Sequence, residues 1–278
     1  MAFSLATKPT EYSENRMSES SDYYMSWLGC GSFGAVGKVV SAGEPVVFQP
    51  TDLSGCDIWF DATDNLTITV DSKDNTSVLS WFNKGDLSGN MEPTVGTGQY
   101  NIDTINTLPV VQFGAGNQMG WTGALATQEK TCFVISKQLI DLTTLGVPFL
   151  RLWSGDQSDA FQFGIAYSGG LFYYQQCRSG VYCVSATDTD NYYDTPQMTT
   201  WRIATNDANN LIRVNAAALS IYENYPASGF NTSTMQYTVN RTDGSAQDIG
   251  EIIIYNRALS DEEVAQVEAY LITRWGTS

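Results

Sequence analysis

The sequence contains no histidine, and this absence excludes several classes of active site. A serine or cysteine nucleophile activated by histidine is impossible, and so is a zinc site built on an H-E-x-x-H helix. An imidazole switch that titrates near neutral pH is excluded as well. Any catalysis would therefore depend on carboxylate, lysine, tyrosine or cysteine side chains.

Basic residues are scarce, because 14 Lys and Arg stand against 30 Asp and Glu, for a formal net charge of −16. A phosphate backbone attracts proteins that carry clustered Lys and Arg, which displace its counterions. We therefore predict no nucleic-acid partner. Only 16% of the residues are charged and 42% are hydrophobic, which favours a packed core over disorder.

Long hydrophobic runs are also missing. No segment approaches the roughly 18 apolar residues that a membrane-spanning helix needs. Residues 1–10 show neither the basic nor the apolar part of a signal peptide. We therefore expect no membrane span and no export by a signal peptide.

Cysteines are few, odd in number and scattered, and no C-x-x-C spacing occurs, so zinc and thioredoxin-like roles lack support. Reduced and mostly buried thiols are the default interpretation. A disulfide across a short hairpin between Cys177 and Cys183 is the alternative. The five residues are Cys30, Cys56, Cys132, Cys177 and Cys183.

From residue 52 onward, short apolar segments alternate with turn residues, a pattern typical of antiparallel all-β proteins. Residues 161–167 alternate with period two, residues 168–170 predict a turn, and residues 171–176 complete a hairpin. No βαβ alternation and no repeat period are visible. Further strands are predicted at 58–60, 66–70, 78–82, 110–113, 131–140, 149–153, 201–205, 211–214 and 249–255.

One helix is predicted between residues 260 and 276. Ser260 and Glu263 have the spacing of a capping box, and Gly276 is a typical helix stop. The apolar residues between them recur at helical spacing, so one face of the helix should pack on the sandwich. These residues are Val264, Val267, Leu271 and Trp275.

Residues 1–50 differ in composition from the rest of the chain. Residues 11–21 are rich in Ser and Glu, residues 29–43 are rich in Gly, Ala and Val, and neither shows a sustained helical period. We predict that residues 1–50 form an N-terminal arm that acts as a docking segment. Residues 51–278 are predicted to form one β-sandwich, because all-β domains often reach this length.

Three segments carry a family resemblance. The first contains Ile58-Trp59-Phe60-Asp61-Ala62. The second runs from Val78-Leu79-Ser80-Trp81-Phe82-Asn83-Lys84 to Leu108-Pro109-Val110-Val111-Gln112-Phe113. The third is Ile249-Gly250-Glu251-Ile252-Ile253-Ile254-Tyr255-Asn256-Arg257-Ala258-Leu259-Ser260 together with the helix that follows. In this order they resemble the concanavalin A-like lectin/glucanase superfamily, specifically its laminin-G-like jelly-roll branch. Asn83 replaces the Asp that is usual there. The resemblance implies an antiparallel two-sheet jelly-roll sandwich with one C-terminal α-helix.

The resemblance also implies a class of function. Similar jelly-rolls are frequent in virions of large DNA viruses and tailed phages, whose proteins leave the cell by assembly and lysis rather than by a signal peptide. We expect a non-enzymatic structural or adhesive virion component, such as a minor capsid, fibre or tail-associated protein. Residues 1–50 would bind other virion or assembly proteins, and the sandwich would make protein contacts or bind a host-surface glycan. A free extracellular lectin is the alternative.

A glycoside hydrolase is a third interpretation, and the sequence offers it little support. Laminarinase-type relatives carry an E-x-D-x-x-E strand, whose alternate acids act as nucleophile and acid/base. No Glu in this sequence has an Asp two residues later, and Ile253 occupies that place after Glu251. We therefore predict that the protein is not an enzyme.

Sugar-binding sites use exposed aromatic rings, so aromatic residues in loops are the candidates. Trp121, which lies between Gly120 and Gly123, is predicted to be in a loop, as are Tyr192 and Tyr193. These three are the candidate glycan-binding residues. The tryptophans that fall in predicted strands or in the helix are expected in the core instead. They are Trp59, Trp81 and Trp275.

Calcium is common in the superfamily, where Asp and Asn oxygens on loops bind it. The candidate ligands are Asp188, Asp190 and Asp194, and residues 61–65 and 71–75 offer similar acids and amides. None of these segments has the spacing of an EF-hand. Asp and Asn also form ordinary solvated turns, which is the alternative interpretation.

Overall fold

The computed structural model describes residues 47–123, 127–139, 148–154, 161–167, 171–178, 181–188, 192–225, 235–240 and 246–277. The chain divides into two units, Met1–Val46 and Val47–Ser278. The first unit lies outside the described residues, so the predicted arm over residues 1–50 stays a prediction.

The described residues contain eighteen strands and one α-helix. The first nine strands are β1 (Cys56–Asp61), β2 (Ile68–Val70), β3 (Val78–Phe82), β4 (Asn90–Val95), β5 (Gln99–Ile105), β6 (Leu108–Phe113), β7 (Gln118–Gly123), β8 (Lys130–Gln138) and β9 (Pro148–Ser154). The others are β10 (Phe161–Tyr167), β11 (Leu171–Arg178), β12 (Val181–Asp188), β13 (Pro196–Ile203), β14 (Leu211–Val214), β15 (Ala217–Ala218), β16 (Ile221–Asn224), β17 (Met235–Val239) and β18 (Gln247–Tyr255). The helix is α1 (Asp261–Trp275).

These strands form two sheets. The eight-stranded sheet has the order β15-β14-β13-β8-β18-β6-β5, and β1 pairs with the second half of β18. The ten-stranded sheet has the order β16-β12-β11-β10-β9-β17-β7-β4-β3-β2. All pairings between these strands are antiparallel, including the predicted hairpin of β10 and β11. The predicted antiparallel two-sheet sandwich with a C-terminal helix is therefore confirmed.

Two hydrophobic clusters lie on opposite faces of the eight-stranded sheet. The first, called the inter-sheet core, joins the two sheets and contains Val134, Trp201 and Trp81. The second, called the helix-side core, joins the sheet to α1 and contains Phe133 and Trp275. Because successive side chains of a strand point to opposite faces, β8 and β18 contribute to both clusters. All residues of both strands are buried, which explains why residues 132–135 and 252–255 are continuously apolar rather than alternating with polar residues.

Helix α1 begins and ends where the sequence predicts. The Ser260 hydroxyl accepts a hydrogen bond from the Glu263 backbone N–H at 3.3 Å, and the Glu263 carboxylate accepts from the Ser260 backbone N–H at 2.9 Å. Gly276 ends the helix in the left-handed conformation, with φ of 66°. Within the described residues, no helix is long and apolar enough to cross a membrane.

The helix packs against the sheet through an unusually close contact at Gly250 of β18. A Cβ atom at this position would lie 2.7 Å from the ring of Trp275 and 3.0 Å from a methyl group of Ile135. Glycine therefore allows the indole of Trp275 to rest directly on the strand. The core positions predicted for Trp59, Trp81 and Trp275 are confirmed.

Two of the cysteines agree with the default interpretation. Cys56 and Cys132 are buried free thiols, and burial raises the pKa of the Cys132 thiol well above its ordinary value. Cys177 and Cys183 lie on β11 and β12, which pair with each other. Their side chains, like Cys30, lie outside the described residues, so a disulfide between them stays a prediction.

Candidate functional site

The three segments that carry the family resemblance meet at a cluster of buried polar groups. Its centre is the Glu251 carboxylate on β18, which is 0% exposed. One oxygen of Glu251 accepts hydrogen bonds from the indole N–H of Trp59 at 2.7 Å and from the Tyr270 hydroxyl at 3.0 Å. The other oxygen accepts from the indole N–H of Trp275 at 2.7 Å. We call these residues, together with Asp61 and Arg274, the buried polar cluster.

Asp61 is the second carboxylate of the cluster and is also 0% exposed. Its two oxygens lie 2.8 and 2.9 Å from one guanidinium nitrogen of Arg274, and the Lys84 ammonium lies 2.9 Å away. Burial alone would raise the pKa of Asp61, but Arg274, Lys84 and a hydrogen bond from Thr63 together hold it below its usual value. Asp61 is therefore ionised and fixed in place.

The pKa of Glu251 is shifted in the opposite direction. Burial and the neighbouring Asp61 carboxylate raise its pKa to about 7, against the attraction of Arg274 and the two indole N–H groups. A carboxyl with such a pKa beside an ionised carboxylate has the electronic character of a general acid. Both groups are fully buried, however, so no substrate reaches them. The cluster instead fastens α1 to the eight-stranded sheet.

The second resembling segment completes this arrangement through Asn83 and Lys84. The Lys84 ammonium lies 4.0 Å from the centre of the Trp59 ring. The Asn83 side chain accepts from the Trp59 backbone N–H at 2.7 Å and donates to the Asp57 backbone carbonyl at 2.8 Å. An aspartate could make only the first of these bonds, so asparagine suits this position. These residues of the first two segments thus make contacts that stabilise the fold.

A groove of about 560 Å³ opens beside the buried polar cluster, a volume within the range of small-molecule pockets. Phe48 and Tyr270 form one wall, with their rings 5.9 Å apart in an edge-to-face arrangement. No lining side chain is a carboxylate, so the groove contains no acid/base pair for glycoside hydrolysis. The lining residues are Val47, Phe48, Gln49, Gln266, Ala269, Tyr270, Thr273 and Arg274.

A second pocket of about 460 Å³ surrounds the start of α1 and does contain carboxylates. Asp261 lies 2.7 Å from Arg202, and Glu263 accepts two hydrogen bonds from Arg257 at 2.7 Å. The hydrogen bonds from Arg257 lower the pKa of Glu263 to about 2. An acid held ionised in this way cannot donate a proton near neutral pH, so these groups serve as helix-capping ion pairs.

The expectation that Trp121 lies in a loop is wrong. Trp121 is part of β7, which pairs with β4 and β17, and the ring is 1% exposed within the inter-sheet core. The flanking Gly120 and Gly123 suggested a turn, but Gly120 is a paired residue of the strand. Gly89 lies against the indole, where a Cβ atom would approach its nitrogen to 2.4 Å. A ring enclosed in this way offers no face to a sugar.

The two predicted tyrosines differ in exposure. Tyr192 is half-buried, packs against the inter-sheet core, and donates its hydroxyl hydrogen bond to Asp188 at 3.1 Å. Tyr193 is 48% exposed. Of the three glycan candidates taken from the sequence, Tyr193 is the one that presents its ring to solvent.

The predicted calcium ligands are described only in part. Asp188 accepts the hydrogen bond from Tyr192, and Asp194 lies 3.8 Å from the Lys137 ammonium. Asp190 lies outside the described residues. Among the described residues, no group of three or more acidic or cysteine side chains could hold a metal ion. In the other two segments, Asp61 forms the ion pairs given above, and Asp74 accepts hydrogen bonds from the 76–77 turn.

Two exposed tyrosines were not identified from the sequence. Tyr222 on β16 is 79% exposed, and Tyr225 just after the strand is 55% exposed. The Asn210 side chain donates to the Asn224 side chain and to the Tyr225 backbone carbonyl, both at 2.8 Å, and so fixes the chain between the two rings. Tyrosines three residues apart in one strand point to opposite faces, so the sequence pattern did not predict that both would be exposed.

The fold is similar to those of several solved proteins. The receptor binding domain of botulinum neurotoxin C/D mosaic serotype aligns with a TM-score of 0.56 at 13% identity, over 80% of this chain and 54% of that one. The binding domain of botulinum neurotoxin DC in complex with SialylT aligns at 0.55 and 12% identity, over 78% and 52%. Trypanosoma rangeli sialidase in complex with sialic acid aligns at 0.54 and 10% identity, over 82% and 34%.

This chain therefore spans about half the length of those toxin domains. It matches no family model and no curated protein sequence. At such low identity the similarity shows the β-sandwich fold alone.

Proposed function

We propose that this chain is a non-enzymatic structural or adhesive component of a virion, such as a minor capsid, fibre or tail-associated protein. Its laminin-G-like, concanavalin A-like sandwich would make protein contacts or bind a host-surface glycan. Two points support the proposal: the resemblance of the three segments, and the β-sandwich fold shared with binding domains, one of them in complex with SialylT. The first pocket has no carboxylate in its lining, and in the second Asp261 and Glu263 are held in ion pairs with Arg202 and Arg257, which favours binding over hydrolysis.

One observation carries the glycan-binding part of the proposal, namely the two exposed tyrosines at the edge of the ten-stranded sheet. β16 is the last strand of that sheet, and a strand edge normally avoids exposed aromatic residues because they promote association. Tyr222 and Tyr225 present apolar faces, and their hydroxyl groups and Asn224 supply hydrogen-bonding atoms. This combination of ring and polar group suits the apolar face and hydroxyl groups of a sugar.

We expect the chain to bind oligosaccharides on a glycan array that includes sialylated and desialylated forms. Tyr222→Ala and Tyr225→Ala should each weaken binding by about tenfold or more, because an aromatic hot spot is worth more than about 1.4 kcal/mol. Tyr193→Ala tests the sequence-predicted position in the same assay. Titration calorimetry with the best array ligand gives the affinities.

The matched control is Phe82→Ala, which removes another exposed aromatic ring from the same sheet, on β3 near the opposite edge. This variant should bind like the unchanged protein. Equal weakening in Phe82→Ala and the tyrosine variants, or no binding to any glycan on the array, would contradict the glycan-binding proposal.

The virion part of the proposal predicts co-sedimentation. The full chain should sediment at fixed stoichiometry with a large particle in untagged source material. A variant lacking residues 1–46 should stay in the light fractions yet remain folded. This deletion spares Phe48, which packs on Tyr270, and Pro50, whose carbonyl accepts a 2.8 Å hydrogen bond from Tyr255. Normal incorporation of the deletion variant would contradict docking through the arm.

A free extracellular lectin is the second candidate function. The exposed tyrosines favour it as much as they favour a virion adhesin, because neither depends on the arm. Sedimentation of the full chain as a free single chain or small oligomer, together with positive array binding, would establish the lectin in place of the virion component.

A further inference from the structure

Three polar side chains that the proposed function does not use lie side by side at one end of the eight-stranded sheet. Asp57 is on β1, Asn256 directly follows β18, and Lys130 is the first residue of β8. These strands are neighbours in the order β1-β18-β8. Lys130 is 1% exposed and Asp57 is 6% exposed, so a lysine and a carboxyl are enclosed together.

The strand register brings Lys130 and Asn256 together. Thr131 of β8 is paired with Tyr255 of β18. The same register, continued by one residue beyond the end of β18, places Lys130 opposite Asn256. Opposite residues of an antiparallel pair share a face, with Cβ atoms about 4.5–5.5 Å apart. A lysine side chain easily spans this separation.

Hydrogen bonds fix the same three groups. The Asn256 side-chain amide donates to the Asp57 carboxyl at 2.9 Å. On the other side, the Lys130 amine donates to the Thr127 backbone carbonyl and lies 3.4 Å from the Thr127 hydroxyl. That hydroxyl in turn donates to the Asn256 backbone carbonyl. The Asn256 side chain thus contacts the acid directly, and its backbone carbonyl is linked to the amine through Thr127.

The charges of the acid and the amine are suppressed. Burial lowers the pKa of Lys130 to about 8, even though the Asp57 carboxyl favours the protonated form. Burial also raises the pKa of Asp57, although Lys130 and the hydrogen bond from Asn256 act in the opposite direction. A neutral amine is a nucleophile, and a neutral carboxyl can donate a proton. Burial therefore favours the neutral form of each group.

We propose that Lys130 and Asn256 join in an intramolecular isopeptide bond, with Asp57 transferring the protons. The amine nitrogen of Lys130 attacks the side-chain carbonyl carbon of Asn256, while Asp57 protonates the amide nitrogen. The new N–C bond forms as the old C–N bond breaks, and one ammonia molecule leaves. Asp57 recovers its proton from the attacking nitrogen, so the reaction needs no oxidant, reductant or cofactor.

The bond would link the start of β8 to the end of β18 and would close a loop from residue 130 to residue 256. A covalent link of this span restricts the unfolded chain, as a disulfide does. Unlike a disulfide, it does not respond to reducing agents. The proposal is independent of glycan binding and of virion assembly.

The test is the mass of the full chain, measured under denaturing conditions after purification near pH 8. The expected mass is that of the sequence less one ammonia. After proteolysis, the peptides that contain residues 130 and 256 should appear as one branched product. A measured mass equal to that calculated from the sequence, with no ammonia lost, would overturn the proposal. Recovery of the two peptides as separate products would also overturn it, even if one ammonia had been lost.

Two variants and a control sharpen the result. Asp57→Asn keeps an oxygen that can accept the hydrogen bond from Asn256 but removes the group that transfers protons. This variant should therefore lose no ammonia and have the mass calculated from its sequence. Lys130→Met should do the same. Lys73→Met removes an exposed lysine and should still lose ammonia. Loss of ammonia from Lys130→Met would overturn the proposal, as would failure of Lys73→Met to lose it.

Discussion

Replacing Glu251 by alanine is expected to lower the free energy of unfolding by about 3–5 kcal/mol, the cost of removing one partner from a buried charged network. Three donors lose their acceptor: the indole N–H groups of Trp59 and Trp275 and the Tyr270 hydroxyl. The Arg274 guanidinium also loses a neighbouring carboxylate, at 3.9 Å. Because two of the three donors lie on α1, the helix should be the first element to detach.

Urea denaturation followed by tryptophan fluorescence and circular dichroism measures this loss. Glu262→Ala, which removes an exposed acid from the first turn of α1, is the control and should cost less than about 1 kcal/mol. The loss of stability in Glu251→Gln should lie between those of the other two variants. The glutamine side chain keeps one oxygen that accepts hydrogen bonds, but its NH2 group would face a donor in place of the second oxygen. A loss below about 1 kcal/mol in Glu251→Ala would show that the buried polar cluster does not hold the helix.

Replacing Trp121 by alanine is expected to destabilise the sandwich by about 3–5 kcal/mol, as is usual when a large buried aromatic side chain is deleted. The ring fills part of the inter-sheet core, and Gly89 leaves no side chain that could move into the space. The cavity would therefore persist rather than collapse. Any loss of glycan binding in this variant would follow from unfolding, not from a missing sugar contact.

Thermal or urea denaturation of Trp121→Ala shows whether the variant is destabilised, as a core position predicts, or keeps its stability, as an exposed sugar-binding position would. Tyr193→Ala is the matched control, because it removes an exposed aromatic ring that was predicted together with Trp121 to bind glycan. Its stability should stay within about 0.5 kcal/mol of the unchanged protein. Equal stability of the two variants would contradict the buried position of Trp121.

Together these experiments separate residues that hold the fold from residues that contact a ligand. The buried polar cluster and Trp121 should affect unfolding, whereas Tyr222 and Tyr225 should affect glycan binding and leave stability nearly unchanged. A variant at the surface tyrosines that lowered both stability and glycan binding would show that the binding surface and the core are linked.

Most elements followed from local patterns in the sequence. The capping box of Ser260 and Glu263 and the stop at Gly276 located α1, because these signals depend on atoms within one turn of the backbone. The period-two alternation of residues 161–167 located β10 in the same way. From the net charge, the absence of histidine and the resemblance of three segments, the sequence predicts a binding or structural function, which stays a prediction.

Long-range contacts decided the rest. The strand β7 was missed because Gly120 and Gly123 resemble turn residues, and only pairing with β4 and β17 makes this segment a strand. The exposure of Tyr222 and Tyr225 depends on where β16 ends, which Asn210 fixes from fourteen and fifteen residues away. Such contacts leave no signal in a short window of sequence.

The sequence by itself determined the all-β class, the C-terminal helix and the segments that resemble a lectin-like jelly-roll, because hydrophobic period and capping chemistry are local properties. Only the tertiary structure decided that those segments converge on Glu251, that Trp121 is core, and that Asp57, Asn256 and Lys130 meet on three neighbouring strands. The physical reason is that burial, pKa and donor–acceptor geometry arise from residues up to 213 positions apart, as between Asp61 and Arg274.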